Sequence, residues 1–191
     1  MAACVTRRAV NCGQRAAYLD VGLAHGLIMK TLLIVYHSMT GGTLQMAQAA
    51  AAGARSEDGL HVSLLRAADA QAGDVLKADG YIFASPENLA GMSGMMKDFF
   101  DRTYYAVLER INGRPFLALI CAGSDGRSAA QQIDRIATGW RLKAIADAYI
   151  VCTHAQTPEQ ILKPKKIDEQ ALLACEELGK TMGGGIALGI F

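Results

Sequence analysis

The chain has 191 residues, 51% hydrophobic and 19% charged. That excludes a wholly disordered polypeptide and supplies enough apolar material for one sizeable core. Nineteen Lys and Arg against eighteen Asp and Glu leave a formal charge of +1, which argues against a protein devoted to nucleic acid and against a strongly acidic electron carrier.

No apolar run approaches the roughly 20 residues of a membrane-spanning helix, so a soluble chain with neither membrane nor nucleic-acid partner is expected. The five cysteines (Cys4, Cys12, Cys121, Cys152 and Cys175) are odd in number and lack CxxC spacing. They give neither a disulfide framework nor a zinc signature, and point to a reducing, cytoplasmic compartment. Cys121 and Cys152 read as small hydrophobes at strand ends.

Residues 1–28 hold three arginines and one aspartate, a charge of +2, which leaves −1 for the remainder. Asp20, Gly22, His25 and Gly26 interrupt the only apolar stretch of this segment, so it does not read as a secretory signal. An Arg-containing targeting peptide is one reading; the favoured one is a poorly ordered extension or a start-site artefact, with Met29 as initiator and 29–191 as one domain.

From Thr31 onward strand and helix patterns alternate. Thr31–Tyr36 is a continuous apolar run, as in a parallel strand covered on both faces. An Ala-rich helix is expected from about Gly42 to Arg55, an edge strand over His61–Arg66 and a weak helix or link over Ala70–Ala78. A third strand covers Gly80–Ser85 and is closed by Pro86. Ser93–Arg110 is the clearest helix. Its stripe of Met95/Met96, Phe99/Phe100, Tyr104 and Val107/Leu108 recurs every three to four residues and reads as core. A fourth strand over Pro115–Ala122, a helix over Ser128–Trp140 and a fifth strand within Ala144–Thr153 follow. Pro164 breaks the link before a last helix opening near Asp168, and Gly183–Gly185 is expected to fray its end. Trp140 reads as a packing anchor at the surface of the core. Right-handed βαβ crossovers then give an α/β fold, a doubly wound five-stranded parallel sheet of flavodoxin-like order 2-1-3-4-5. Ligands in such sheets bind beyond the carboxyl ends of the strands, which singles out the loops after strands one, three and four.

The first loop, Ser38-Met39-Thr40-Gly41-Gly42-Thr43, joins an apolar strand to a helix. Its glycines let backbone N–H groups converge on an anion, its three hydroxyls can donate to phosphate oxygens, and the helix start adds a positive dipole end. It contains no Lys or Arg, which suits a phosphate monoester better than a magnesium triphosphate. Neither GxxxxGK[ST] nor GxGxxG occurs. The competing reading is an ordinary Gly/Ser turn with a threonine helix cap.

Ser38-x-Thr40-Gly41-x-Thr43 resembles the flavodoxin phosphate loop, (Ser/Thr)-x-Thr-Gly-x-Thr, at every specified place. Ser85-Pro86-Glu87-Asn88-Leu89-Ala90-Gly91, continuing through Lys97, Phe99 and Asp101-Arg102, resembles the NAD(P)H-dependent FMN reductase segment. The resemblance implies that Ser38, Met39, Thr40, Gly41, Gly42 and Thr43 surround the FMN phosphate. Pro86, Glu87, Asn88, Leu89 and Ala90 would lie along the isoalloxazine ring, and Gly123, Ser124, Asp125 and Gly126 would border its other edge. Many relatives stack Tyr, Phe or Trp on the flavin. This second loop has none, leaving Leu89, Met39, Met92 or backbone for ring contact. The implied activity passes hydride from NADH or NADPH to FMN and on to a small-molecule acceptor such as a quinone, with the flavin carrying the chemistry and no catalytic side chain required. Asp125 is expected to face solvent or cap the next helix. Glu87 and Asn88 read equally as partners of the ring's polar edge or as solvated loop. Flavoproteins of this type often form homodimers or homotetramers, which the sequence does not itself display.

Rival readings remain. An electron-carrier flavodoxin without its own NAD(P)H site is the nearest, disfavoured by the near-neutral charge and the missing ring aromatics. Cys121-x5-Arg127-Ser128 fits the loop of cysteine-dependent phosphatases, but five cysteines make one such spacing a cheap coincidence, and the first loop would have no role. A non-catalytic scaffold is the third. His154 and Gln156 read as surface loop, or as contacts to a nicotinamide or a dimer partner. His37 is expected to bond nearby backbone. Lys163-Pro164-Lys165-Lys166 reads as a solvated turn rather than a site for an NADPH 2′-phosphate. No metal-ligand cluster is evident.

Overall fold

The computed structural model describes residues 29–191; the reading of residues 1–28 lies outside them. Elements alternate as β1 (Lys30–Tyr36), α1 (Gly42–Arg55), β2 (Leu60–Arg66), α2 (Ala72–Lys77), β3 (Gly80–Asn88), β4 (Gly91–Met92) and α3 (Gly94–Val107). The second half holds β5 (Pro115–Ala122), α4 (Arg127–Gly139), β6 (Lys143–Ala144), β7 (Tyr149–Cys152), α5 (Pro158–Leu162) and α6 (Glu169–Ala187). The strands run parallel in the order β2-β1-β3-β5, and β6 and β7 occupy the fifth position in turn, both parallel to β5. The expected flavodoxin-like order is therefore present. Its last strand is split in two, and β4 is a two-residue antiparallel addition to β3.

Alternation along β1 sorts the core into two layers. Leu33 and Val35 face the α3/α4 side with Phe83, Phe99, Phe100 and Ile133. Leu32 and Ile34 face the α1/α6 side with Met46, Ala50, Cys175 and Met182. β5 is buried along its whole length.

Four expectations need correction. β3 does not stop at Pro86 but continues to Asn88. β1 has already ended opposite Ala84, so proline sits where the strand has β5 on one side only and its missing N–H costs no ladder bond. Gly183–Gly185 does not fray the last helix, which runs on to Ala187, because Gly183 packs on Ala54 and Gly185 on Phe191. Met95 leaves the core stripe for solvent while Met96 stays buried. Trp140 is fully buried, its ring 5.3 Å from Phe100 and 5.9 Å from Tyr104. In addition, α5 stands within the link before the last helix. It is opened by a capping box between Thr157 and Gln160, with Pro158 at its start.

Burial pushes the Tyr81 phenol up to about 12 against the pull of Arg114, whose Nη1 donates to its oxygen at 3.1 Å. Burial also pushes Cys175 up to about 12. In both cases the folded state holds a proton that the unfolded chain releases near the ordinary value, 10.0 for tyrosine and 9.0 for cysteine. Their stabilising contribution is thus full below pH 9 and is lost as pH rises toward 12. Urea titrations should show stability falling across that window, by on the order of 2 kcal/mol for the tyrosine alone. Tyr81→Phe should flatten the slope above pH 10; an unchanged slope would contradict the assignment.

Candidate functional site

The carboxyl ends of β1, β3 and β5 open into a cavity of about 600 Å³, within the range of small-molecule sites. Its floor is the loop between β1 and α1. Gly41, at φ +87°, turns the chain into the helix, and its N–H donates to Ser38 Oγ at 3.1 Å. No side chain caps α1 and no acidic residue lies in its first turn, so the first N–H groups face the cavity without an internal side-chain partner. By contrast α3 is capped by Ser93, α5 by Thr157 and α6 by Asp168. Thr43 is buried beneath the loop, its hydroxyl beside the Cys121 thiol.

One wall is the hairpin of β3 and β4. Leu89 and Ala90, both at positive φ (49° and 58°), form its two-residue turn, a conformation usually given to Asn and Gly. Leu89 stands fully exposed at the tip, and Asn88 Nδ2 lies 3.7 Å from Met39 Sδ. The facing wall is the loop after β5. There Glu87 Oε2 accepts the Gly126 N–H at 2.8 Å, and Asp125 pairs with Arg127 at 2.6 Å.

A third wall comes from the segment after β7, with Thr153, Ala155, Gln156, Ile161 and Lys165 reaching the cavity. The Lys165 N–H donates to the Thr40 carbonyl at 2.7 Å. The Gln45 side chain fastens the segment to α1: its Nε2 donates to the carbonyls of Gly41 and Lys165 at 3.0 and 2.7 Å, and its Oε1 accepts the Ile167 N–H at 3.1 Å. Lys163, Pro164 and Lys166 are exposed, as expected of a solvated turn, while Lys165 is half-buried and tied to the loop by its backbone. The Lys165 ammonium is spent on carbonyls of Gln160, Ile161 and Lys163.

Of the residues singled out in the sequence, Ser38, Met39, Thr40, Gly42, Thr43, Pro86, Glu87, Asn88, Leu89, Ala90, Gly123 and Ser124 line the cavity. Gly41, Asp125 and Gly126 do not. Gly41 shapes the loop from behind, and the Asp125 carboxylate points to Arg127. Gly126, at φ +82°, is wedged against Ile150, with its N–H taken by Glu87. Met92 turns into the core instead of the cavity. The imidazole of His37 makes no bond to backbone: its Nδ1 is buried without a partner among the described residues, and burial lowers its pKa. It is the His37 backbone N–H that donates, to the Ala84 carbonyl at 3.0 Å.

Burial also raises the pKa of the Cys121 thiol, while Arg127 extends into solvent against Asp125. A phosphatase needs a thiolate and a guanidinium converging on one anion; this loop separates them. Among the described residues no group of three or more His, Cys, Asp or Glu could hold a metal, and no helix is long and apolar enough to cross a membrane.

The fold and loop geometry define a flavodoxin-like α/β protein. Residues 67–157 match the family model described as NADPH-dependent FMN reductase. A flavodoxin of Aquifex aeolicus is 29% identical over 165 residues, 84% of this chain and 89% of that one. An NAD(P)H dehydrogenase (quinone) of Acidithiobacillus ferrooxidans is 35% identical over 95 residues, 39% of this chain and 48% of the relative. The chain thus aligns with about half of that dehydrogenase. A flavodoxin from the domain Archaea superposes with a TM-score of 0.69 at 20% identity, over 82% of this chain and 98% of its own. The resemblance to flavodoxins and FMN reductases read from the loops is borne out.

Proposed function

We propose that the chain binds FMN in this cavity and acts as an NAD(P)H-dependent oxidoreductase toward a small acceptor such as a quinone. The observation that carries the reading is the uncapped start of α1, where neutral donors open into the cavity at the carboxyl ends of the strands. That donor set fits a phosphate monoester: Ser38, Thr40 and Thr43 offer hydroxyls, and Gly41 and Gly42 let the backbone close on it. Met39, Asn88 and Leu89, with Pro86 and Ala90, offer an apolar and amide surface to a flat ring. Gly123 and Ser124 offer the opposite edge. Bound FMN would supply the hydride chemistry; the chain would orient it, exclude water and set its surroundings. The match of residues 67–157 to the FMN reductase family and the likeness to quinone dehydrogenases support an enzyme.

The match over most of the chain to the Aquifex flavodoxin favours a second reading, an electron carrier. Anaerobic mixing of the FMN-loaded protein with NADH and with NADPH separates the two. The oxidoreductase reading expects bleaching of the flavin by at least one nicotinamide, followed by turnover with a quinone. Tight FMN binding without bleaching by either would leave the carrier reading standing.

A further inference from the structure

We propose that Glu87 is a positioning residue: its carboxylate locks the second loop to the third and occupies the amino end of α4, leaving α1 as the open helix terminus of the cavity. Glu87 and Gly126 are 39 residues apart, yet Glu87 Oε2 accepts the Gly126 N–H at 2.8 Å. Gly126 holds the N-cap position of α4 and cannot carry a cap of its own. A Cβ there would lie 2.5 Å from Ile150 Cγ2, and its φ of +82° disfavours any other residue. The capping carboxylate is therefore delivered from another strand, where the helix dipole and the charge-assisted hydrogen bond both favour it. α4 has no acidic residue in its first turn to do this locally.

A second contact makes the connection reciprocal. Gln132, one and a half turns into α4, accepts the Met92 N–H from β4 at 3.0 Å. A Cβ on Gly91 would sit 2.9 Å from the Gln132 amide. Hairpin and helix thus hold each other at two points, one on each side of the Leu89–Ala90 turn. The strained turn has a rigid base for that reason.

The consequence is electrostatic asymmetry. One helix terminus, α1, is bare and attracts an anion. The other, α4, already carries a negative group that lines the cavity and repels a second one. This part rests on the FMN reading above: a carboxylate beside the ring opposes added negative charge, so it lowers the potential at which the bound flavin accepts electrons.

Two variants test the proposal. Glu87→Gln keeps an oxygen acceptor without the charge, and Glu87→Ala removes both. In the FMN-free protein, Glu87→Ala should speed hydrogen exchange at the Gly126 amide about tenfold, the factor a typical hydrogen bond carries, while Glu87→Gln changes it little. With FMN, Glu87→Ala should raise Kd about tenfold by loosening the wall. Glu87→Gln should keep Kd within about threefold yet move the flavin midpoint potential to a more positive value. Unchanged Gly126 exchange in Glu87→Ala would overturn the lock, and an unshifted potential in Glu87→Gln would overturn the electrostatic role. If Glu87→Ala lacks a cooperative unfolding transition, Gly126 exchange and potential in Glu87→Gln decide alone: retained exchange with a shifted potential supports the proposal. Wild-type protein that takes up no FMN would sink the functional reading and the electrostatic role with it, whereas Gly126 exchange would still decide the lock.

Discussion

Gly179→Ala should remove about 3 kcal/mol of folding stability, enough to shift a denaturant midpoint well outside experimental scatter. The cause is the approach of α1 and α6. A Cβ on Gly179 would overlap the Ala50 carbonyl, and one on Gly53 would overlap that of Glu176. These are backbone atoms, which no rotamer change can move aside. The helices must separate, and the alanine face of Ala47, Ala50, Ala51 and Ala54 loses its partner. Alanine's better helix propensity, about 1 kcal/mol over glycine, offsets only part of this. Gly184→Ala is the control. Its Cβ would meet only the flexible end of Glu57, 3.2 Å away, so the propensity gain should survive and the variant should be slightly stabilised. Equal effects at the two positions would mean that the helices are not in backbone contact.

The second large effect is expected at the β1–α1 loop, the proposed phosphate cradle. Gly42 opens α1 directly over β5: an added Cβ would lie 2.6 Å from Cys121 Sγ, 3.3 Å from Lys165 Cβ and 3.4 Å from Ile167 Cδ1. Gly42→Ala must push the first turn of α1 outward and misdirect the N–H groups proposed to hold the FMN phosphate. A loss of about 100-fold in FMN affinity is expected, close to 2.7 kcal/mol, together with a loss of folding stability on the order of 1 kcal/mol from the overpacking. Adding Cys121→Ala removes the atom in closest conflict and should restore most of the affinity. If Gly42→Ala binds FMN like the wild type, α1 is not the phosphate cradle. If the double variant is no better than the single one, the conflict lies with Lys165 rather than the thiol.

Local chemistry made much of the architecture legible. β1 and β5 announce themselves as apolar runs because both of their faces are covered. α1 and α3 begin where a Gly-containing loop and a serine cap would start them. The β1–α1 loop stands out for the same reason: its hydroxyls, glycines and helix start are contiguous in the chain. What stayed hidden depends on distant partners. Gly183–Gly185 looks like a frayed end by propensity, but Ala54 and Phe191 require small residues there, and packing overrides propensity. Pro86 reads as a strand stop, yet it falls where β1 has already finished. The contacts of Glu87 with Gly126 and of Gln45 with Lys165 join residues far apart in sequence, and no local pattern signals them. The α5 wall could have been found, since Thr157-Pro158-Glu159-Gln160 is a capping-box sequence with proline at the first helical position. Its place over the cavity could not, because that depends on Gln45.

A single FMN site is proposed on the bare start of α1. An equilibrium titration of the flavin-free protein, followed by flavin fluorescence, addresses it most directly. Saturable quenching at one FMN per chain is expected, with riboflavin, which lacks the phosphate, binding far more weakly. A flat titration with folded protein, or equal affinity for riboflavin and FMN, would contradict it.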